Sequence, residues 1–207
     1  AACSPTATEP QDRQLVVGTS VAPNSMDPTT SAAAAIPEVT LYNVYETLSK
    51  IQSDSRTTPL LAESWTVSSD LKTWTFKLRP GVKFHNGEAF NAATVKFSLE
   101  RAVAKDSVNK DKATFANIER IDTPDANTVV LNLKNGNPDL LFQLGQATAI
   151  IVEPKSAATN NTQPVGTGPF RVDNWAKGSA VTLARWDGFR NAKDVKLRRV
   201  TVRFVND

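Results

Sequence analysis

Cysteine and histidine are nearly absent from this sequence, which holds one of each among 207 residues. With Cys3 alone, neither an intrachain disulfide nor a thiolate metal cluster can form. With His85 alone, a Ser-His-Asp triad or a histidine metal site would have to use that residue. Residues 166–168, Gly-Thr-Gly, lack the following Lys-Ser/Thr of a phosphate-binding loop. We therefore expect no catalysis, no cofactor and no bound metal.

Long apolar runs are also missing, and the excess of positive charge is small. The longest apolar run, residues 32–36, is far shorter than the roughly 20 residues that span a bilayer. The net charge is +3, and between residues 185 and 207 seven basic residues face three acidic ones. These charges alternate with Val200, Val202 and Phe204, and no recognition helix or aromatic platform accompanies them. A solvated strand face is therefore favoured over nucleic-acid binding.

Hydrophobic residues make up 40% of the chain, enough for one sizeable core or two small ones. The apolar run at residues 15–18 predicts a strand that is buried on both faces. Pro37 predicts the start of a helix. Four apolar residues at helical spacing would form its buried face: Leu41, Val44, Tyr45 and Leu48.

The middle of the chain predicts an antiparallel meander. Residues 64–78 and 118–133 alternate between apolar and polar side chains around short turns, which is typical of two hairpins. Asn91 is a suitable N-cap for a helix between them. A short helix at 138–144 and a buried strand at 150–152 follow. The last strands fall at 170–172, 181–183 and 200–205, so the fold class is α/β with mixed α+β character.

Five segments, in this order, resemble one known family. They are residues 24–28 (Asn-Ser-Met-Asp-Pro), 45–48 (Tyr-Glu-Thr-Leu), 59–65 (Pro-Leu-Leu-Ala-Glu-Ser-Trp), 74–87 (from Trp-Thr-Phe-Lys-Leu-Arg to Lys-Phe-His-Asn-Gly) and 165–170 (Val-Gly-Thr-Gly-Pro-Phe). Together they resemble the dipeptide, oligopeptide and nickel type of periplasmic solute-binding protein, family 5. The chain departs from that pattern at Asn86 and at residues 187–190, and neither departure is expected to touch a candidate ligand residue.

The resemblance implies a periplasmic-binding-protein-like lobe of type II (class C) with an extra antiparallel meander subdomain. Residues 1–14 would be a flexible tether. Residues 15–43 and 164–207 would form the first lobe, and residues 44–163 the inserted subdomain. Family members are roughly twice as long, so the second lobe is expected to be absent from this chain, which would be a truncated fragment.

The resemblance implies that the protein captures a small solute outside the cytoplasm and delivers it to an ABC permease. A peptide is the first candidate for that solute. Three alternatives remain open. The first is a binding protein of the same family for a nickel chelate, an opine or a sugar. The second is a hydrolase, which the lack of a nucleophile–base pair opposes. The third is a structural or signalling module that keeps the fold without transport.

The resemblance also implies candidate ligand contacts in two loops. Ser20, Val21 and Ala22 follow the first strand, and Thr167 and Gly168 precede a later one. We expect both loops to face the cleft between the lobes, where backbone amides can approach a ligand. His85 is expected to lie away from that cleft, in a structural turn.

The first residues of the sequence suggest where the protein is located. Residues 1–3, Ala-Ala-Cys, resemble the end of a bacterial lipoprotein box, in which Cys3 would carry the lipid, and a polar stretch follows. A chance terminal cysteine is the alternative. The first interpretation predicts a protein of the periplasm or cell surface that meets the membrane only through a lipid anchor.

Overall fold

The computed structural model describes residues 13–205 and contains ten strands and four short helices there. The strands are β1 (Gln14–Thr19), β2 (Ser49–Ile51), β3 (Thr57–Pro59), β4 (Ala62–Val67), β5 (Thr73–Leu78), β6 (Ile118–Asp125), β7 (Thr128–Leu133), β8 (Phe170–Ala176), β9 (Ala180–Arg185) and β10 (Arg199–Phe204). The helices are α1 (Ala35–Thr40), α2 (Ala92–Ala102), α3 (Lys112–Ala116) and α4 (Leu140–Gln143).

Two four-stranded sheets contain eight of the ten strands, in agreement with the expected mixed α/β class, and β2 and β3 pair separately. The first sheet has the order β1, β10, β9, β8, in which β1 and β10 are parallel and the other pairs are antiparallel. The second sheet has the order β4, β5, β7, β6 and is antiparallel throughout. Each sheet has its own cluster of buried apolar side chains.

The second sheet confirms the predicted meander. Its buried face is formed by the alternate residues Trp74, Phe76, Leu78, Val129, Leu131 and Leu133. Helix α2 begins with the predicted cap, since the Asn91 side chain accepts a hydrogen bond from the Thr94 N–H while the Thr94 side chain accepts one from the Asn91 N–H. The α2 side chains Val95 and Leu99 pack into the same core.

Strand β1 exists as predicted, but the expectation that it is buried on both faces was wrong. It lies at the edge of the first sheet, and Leu15, Val16 and Val17 are 45%, 55% and 42% exposed. Because neighbouring side chains of a strand point to opposite faces, β1 exposes apolar groups on both sides. An apolar run predicts a strand, but the strand is buried only where other elements pack over both of its faces. No part of residues 13–205 covers β1 in this way.

The predicted helix from Pro37 was wrong in length. Helix α1 ends at Thr40, and Tyr42 adopts a left-handed backbone conformation with φ of 61°. The chain stops being helical because the carbonyl groups of Asn43 and Val44 accept hydrogen bonds from Phe170 and Gly168 instead. Most of the predicted apolar face is nevertheless buried, namely Val44, Tyr45 and Leu48.

Residues 150–152 are buried as expected, but they form no strand. Their backbone is held by single contacts, with the Ile151 N–H donating to Glu46 O (3.0 Å) and the Val152 N–H to the Ser98 hydroxyl (2.9 Å). The predicted domain limits after residues 43 and 163 remain a prediction. Within the described residues, no helix combines the length and apolarity needed to cross a membrane.

Candidate functional site

The two predicted ligand loops lie at opposite ends of the first sheet. The register aligns Gln14 of β1 with Arg199 of β10, and Phe170 of β8 lies at that same end. The loop with Thr167 and Gly168 precedes Phe170, whereas Ser20 follows the far end of β1. A six-residue strand is about 17 Å long at roughly 3.3 Å per residue. The structure therefore does not bring the two loops together.

The segment 20–22 is accessible and has free backbone groups. Ser20 and Val21 are exposed and Ala22 is partly buried. No residue between 13 and 205 forms a hydrogen bond to the backbone of these three residues. The segment is nevertheless firmly attached, because the Thr19 carbonyl accepts from the Val205 N–H (2.8 Å) and the Thr19 hydroxyl donates to Glu38 (2.8 Å). A ligand backbone can pair with such a strand extension.

The second loop is internal. Thr167 has no exposed surface, and its hydroxyl donates to Glu46 Oε1 (3.0 Å). The Gly168 N–H donates to Val44 O (2.9 Å), and its carbonyl accepts from His85 Nε2 (3.0 Å). The backbone amide that a ligand was expected to use is thus already occupied. A ligand contact at Thr167 or Gly168 stays a prediction.

Glycine is required at positions 166 and 168 by close backbone approach. A Cβ at Gly166 would overlap the Val44 carbonyl, and one at Gly168 would overlap the Asn43 carbonyl. Neither glycine has a positive φ. The loop is therefore packed directly against the backbone at residues 43–45, and any side chain would push the two segments apart.

His85 is part of this packing, so it has the expected structural role but lies directly against one of the two predicted ligand loops. Its Nδ1 accepts from the Gly166 N–H (3.2 Å), so the proton is on Nε2, which donates to the Gly168 carbonyl. The ring also meets Trp186 edge-on at 4.9 Å. Burial lowers the pKa of His85 to about 4. The hydrogen bond to Gly168 raises this pKa and the positive charge of Arg171 lowers it, and both effects are smaller than that of burial. A neutral imidazole thus holds the loop, and no role in proton transfer follows.

Stability is expected to fall as the pH drops from 6.5 to 4, because the folded state keeps His85 neutral. Above pH 6.5 the ring is neutral in both states and its contribution is complete. Below 6.5 the unfolded chain takes up the proton first, and the loss stops near pH 4, where the folded protein is protonated too. The loss is at most about 3–4 kcal/mol at ~1.4 kcal/mol per pH unit. Urea titrations of the parent and His85→Gln should show a stability difference that shrinks across this window; parallel curves would contradict the assignment.

Sequence reasoning did not identify Arg190, whose side chain pairs with the Glu46 carboxylate beside the loop. Glu46 is 3% exposed in its side chain and forms two hydrogen bonds with Arg190, at 2.6 and 2.9 Å. The same carboxylate accepts from Thr167. Arg190 belongs to the departing segment 187–190, which therefore reaches the candidate residue Thr167 only indirectly, through their shared partner Glu46. No local signal connects Glu46 and Arg190, which lie 144 positions apart.

A second buried ion pair joins the loop after β1 to helix α2. Asp27 is fully buried, and the Arg101 guanidinium of α2 donates to both of its oxygens, at 2.5 and 3.2 Å. Arg101 also donates to the Ala157 carbonyl (3.2 Å). Tyr45 donates to Met26 O (3.0 Å), and burial raises its pKa well above the usual value. The motif at residues 24–28 is therefore structural here.

A groove of about 460 Å³ runs along β8. Arg171, Trp175 and Lys177 line one wall, and His85 and residues 162–165 line the other. Lys177 stacks over Trp175 at 5.0 Å. Among residues 13–205, no group of three or more His, Cys, Asp or Glu converges in a way that could hold a metal ion.

The fold places the chain in the class of periplasmic binding proteins. It superimposes with a TM-score of 0.85 on the PBP AgaA of A. tumefaciens R10 in complex with agropinic acid, at 31% identity over 93% of this chain and 40% of that one. The periplasmic binding protein DppA from Helicobacter pylori, in complex with the peptide STSA, gives a TM-score of 0.83 at 26% identity over 94% and 43% of the two chains.

Residues 56–207 match the description of bacterial extracellular solute-binding proteins, family 5, and the chain belongs to that family. The glutathione-binding protein GsiB of Pectobacterium atrosepticum is 33% identical over 201 residues, which are 95% of this chain and 38% of that protein. The chain thus spans about two fifths of the length of these relatives.

Proposed function

We propose that this chain is the first part of an extracytoplasmic solute-binding protein that captures a small solute and delivers it to an ABC permease. Family membership and the fold support this role. In the proposed arrangement, residues 15–43 and 164–207 form one lobe, residues 44–163 form the subdomain beside it, and a second lobe closes over the ligand in a hinge motion.

The observation that carries the proposal is the backbone of residues 20–22, to which no residue between 13 and 205 forms a hydrogen bond. It extends β1 where the parallel pair β1 and β10 ends. Open sheets of α/β proteins bind ligands beyond the carboxyl ends of their strands. Exposed amide and carbonyl groups at this place suit the extended backbone of a peptide, which gives affinity with little selectivity. The residues that select the ligand would come from the second lobe.

The relatives bind ligands of different kinds. GsiB is named for glutathione, AgaA was solved with agropinic acid and DppA with a peptide. Peptides remain the first candidate. Glutathione and opines are candidates as well, because the relatives with those ligands are 33% and 31% identical to this chain, against 26% for the peptide-bound DppA. We propose no catalytic role, because both ring nitrogens of His85 are engaged by the backbone of Gly166 and Gly168.

Val21→Asp is expected to weaken ligand binding at least tenfold in the protein that carries both lobes. The carboxylate would crowd the free backbone and repel an acidic ligand group. Val108→Asp is a matched control, because both valines are 52% exposed and Val108 lies in the loop after α2. Calorimetric titration with short peptides, glutathione and agropinic acid would measure the effect. Equal losses in the two variants would place the ligand elsewhere.

We also propose that Cys3 carries a lipid anchor and places the protein on the outer side of a membrane. Cys3 lies outside the described residues, so the proposal rests on the Ala-Ala-Cys sequence and on the extracellular family. Stable anchoring generally takes more than one acyl chain, which a lipoprotein modification supplies. Cys3→Ser should release the protein into the soluble fraction of the native host, and a variant that stays in the membrane pellet would refute the anchor.

A further inference from the structure

The end of the first sheet where β1 begins is rich in positive charge. We call this surface the basic end and define it by six basic residues, Arg13, Arg185, Lys193, Lys196, Arg198 and Arg199. Three acidic residues lie among them, Asp173, Asp187 and Asp194. The basic end therefore keeps a net positive charge, and the segment 20–22 lies at the opposite end of β1.

Backbone contacts bring these residues together from distant parts of the sequence. The Arg198 N–H donates to Arg13 O (2.9 Å), and the Arg185 N–H donates to Arg198 O (2.9 Å). The connection between β9 and β10 contains a helical turn at Ala192–Asp194, which presents Lys193 to solvent. Arg13, at the start of β1, therefore lies beside the β9–β10 connection, which contains Lys193 and Lys196.

Two of the three acidic residues in the basic end already form ion pairs with its arginines. Asp187 pairs with Arg185 (3.1 Å) and Asp173 pairs with Arg199 (2.8 Å), and both pairs are partly exposed. Lys193 and Lys196 are exposed, and Asp194 is the acidic residue between them in the sequence. Such a surface attracts an anionic partner over about 8–10 Å at physiological salt.

We propose that the basic end faces an anionic lipid surface. This inference rests on the proposed anchor at Cys3, from which ten residues lead to Arg13 and can reach at most about 35 Å. An acyl anchor and a basic patch reinforce each other at a membrane. Each lysine near an anionic surface strengthens binding about fivefold. The orientation keeps residues 20–22 on the side of the sheet that points away from the lipid.

The test uses the 207-residue chain made without lipid, so that the patch is measured apart from the anchor. The chain should co-sediment with vesicles of phosphatidylcholine containing about one third phosphatidylglycerol, and much less with pure phosphatidylcholine. The double variant Lys193→Glu/Lys196→Glu should bind the anionic vesicles at least tenfold more weakly. The control Lys105→Glu/Lys110→Glu changes the net charge equally on exposed lysines of the loop after α2 and should stay within twofold of the parent.

Three results would overturn the proposal. They are no preference for anionic vesicles, equal losses in the two double variants, and binding that survives ~0.5 M salt, at which surface electrostatics are largely screened. Binding of the basic end to the purified permease without any binding to vesicles would identify an acidic protein surface instead. Ligand titration of Lys193→Glu/Lys196→Glu in the protein with both lobes should match the parent, so these outcomes leave the proposed function standing.

Discussion

Gly166→Ala is expected to lower the free energy of unfolding by about 3 kcal/mol or more. The new Cβ would overlap the Val44 carbonyl and press on the backbone of Tyr45. These are backbone atoms in the core of the protein, so no flexible side chain can move aside. The hydrogen bonds of His85 to Gly166 and Gly168 would be stretched at the same time. Gly168→Ala should act similarly, through the backbone of Asn43.

Gly18→Ala is the matched control for both glycine variants. Its Cβ would meet only a methyl group of Val205 at 3.6 Å, which is ordinary contact, and Gly18 has no positive φ. Urea denaturation followed by tryptophan fluorescence should show this variant within about 0.5 kcal/mol of the parent. If Gly166→Ala were equally mild, the loop would not be packed against residues 43–45.

Arg190→Met is expected to cost about 3–5 kcal/mol, because it leaves the buried carboxylate of Glu46 without its cation. The side chains of the pair are 19% and 3% exposed, so water can replace the guanidinium only in part. The Thr167 hydroxyl would remain as a neutral donor to Glu46. Arg190→Lys should give an intermediate loss, since an ammonium group cannot reproduce the two parallel hydrogen bonds.

Arg199→Met provides the comparison, because the Arg199–Asp173 pair is exposed and should contribute less than about 1 kcal/mol. The double variant Glu46→Gln/Arg190→Met should recover part of the loss of Arg190→Met, since it removes the unpaired charge as well. A loss no larger than that of Arg199→Met, or no recovery in the double variant, would contradict the assignment. Thermal and urea denaturation give both quantities.

Local patterns in the sequence were sufficient for the second sheet. Alternation along β5 and β7 predicts which residues are inside, because each strand has one buried and one solvated face. The capping residue of α2 could be read directly, because Asn91 bonds its own first turn. In both cases the interactions that decide the structure lie within a few residues or across one hairpin.

The remaining features depend on partners far along the chain. The helical spacing after Pro37 is real, but backbone contacts to residues 168 and 170 end the helix. The exposure of β1 depends on its place at the sheet edge, which an apolar run does not indicate. The pairing of Glu46 with Arg190 has no local signature. For the candidate site, sequence reasoning identified two loops but could not show that strand direction places them at opposite ends.

The parallel pairing of β1 with β10 has a consequence for the order in which the protein takes shape. During synthesis β1 is made before the other nine strands of residues 13–205, yet its hydrogen-bonding neighbour β10 is complete only at Phe204. The strands of the second sheet all lie between residues 62 and 133 and need no later residue to pair. Closing so long a loop is slow compared with forming a hairpin. The apolar strand β1 therefore stays without its partner strand until residues 199–204 have been made.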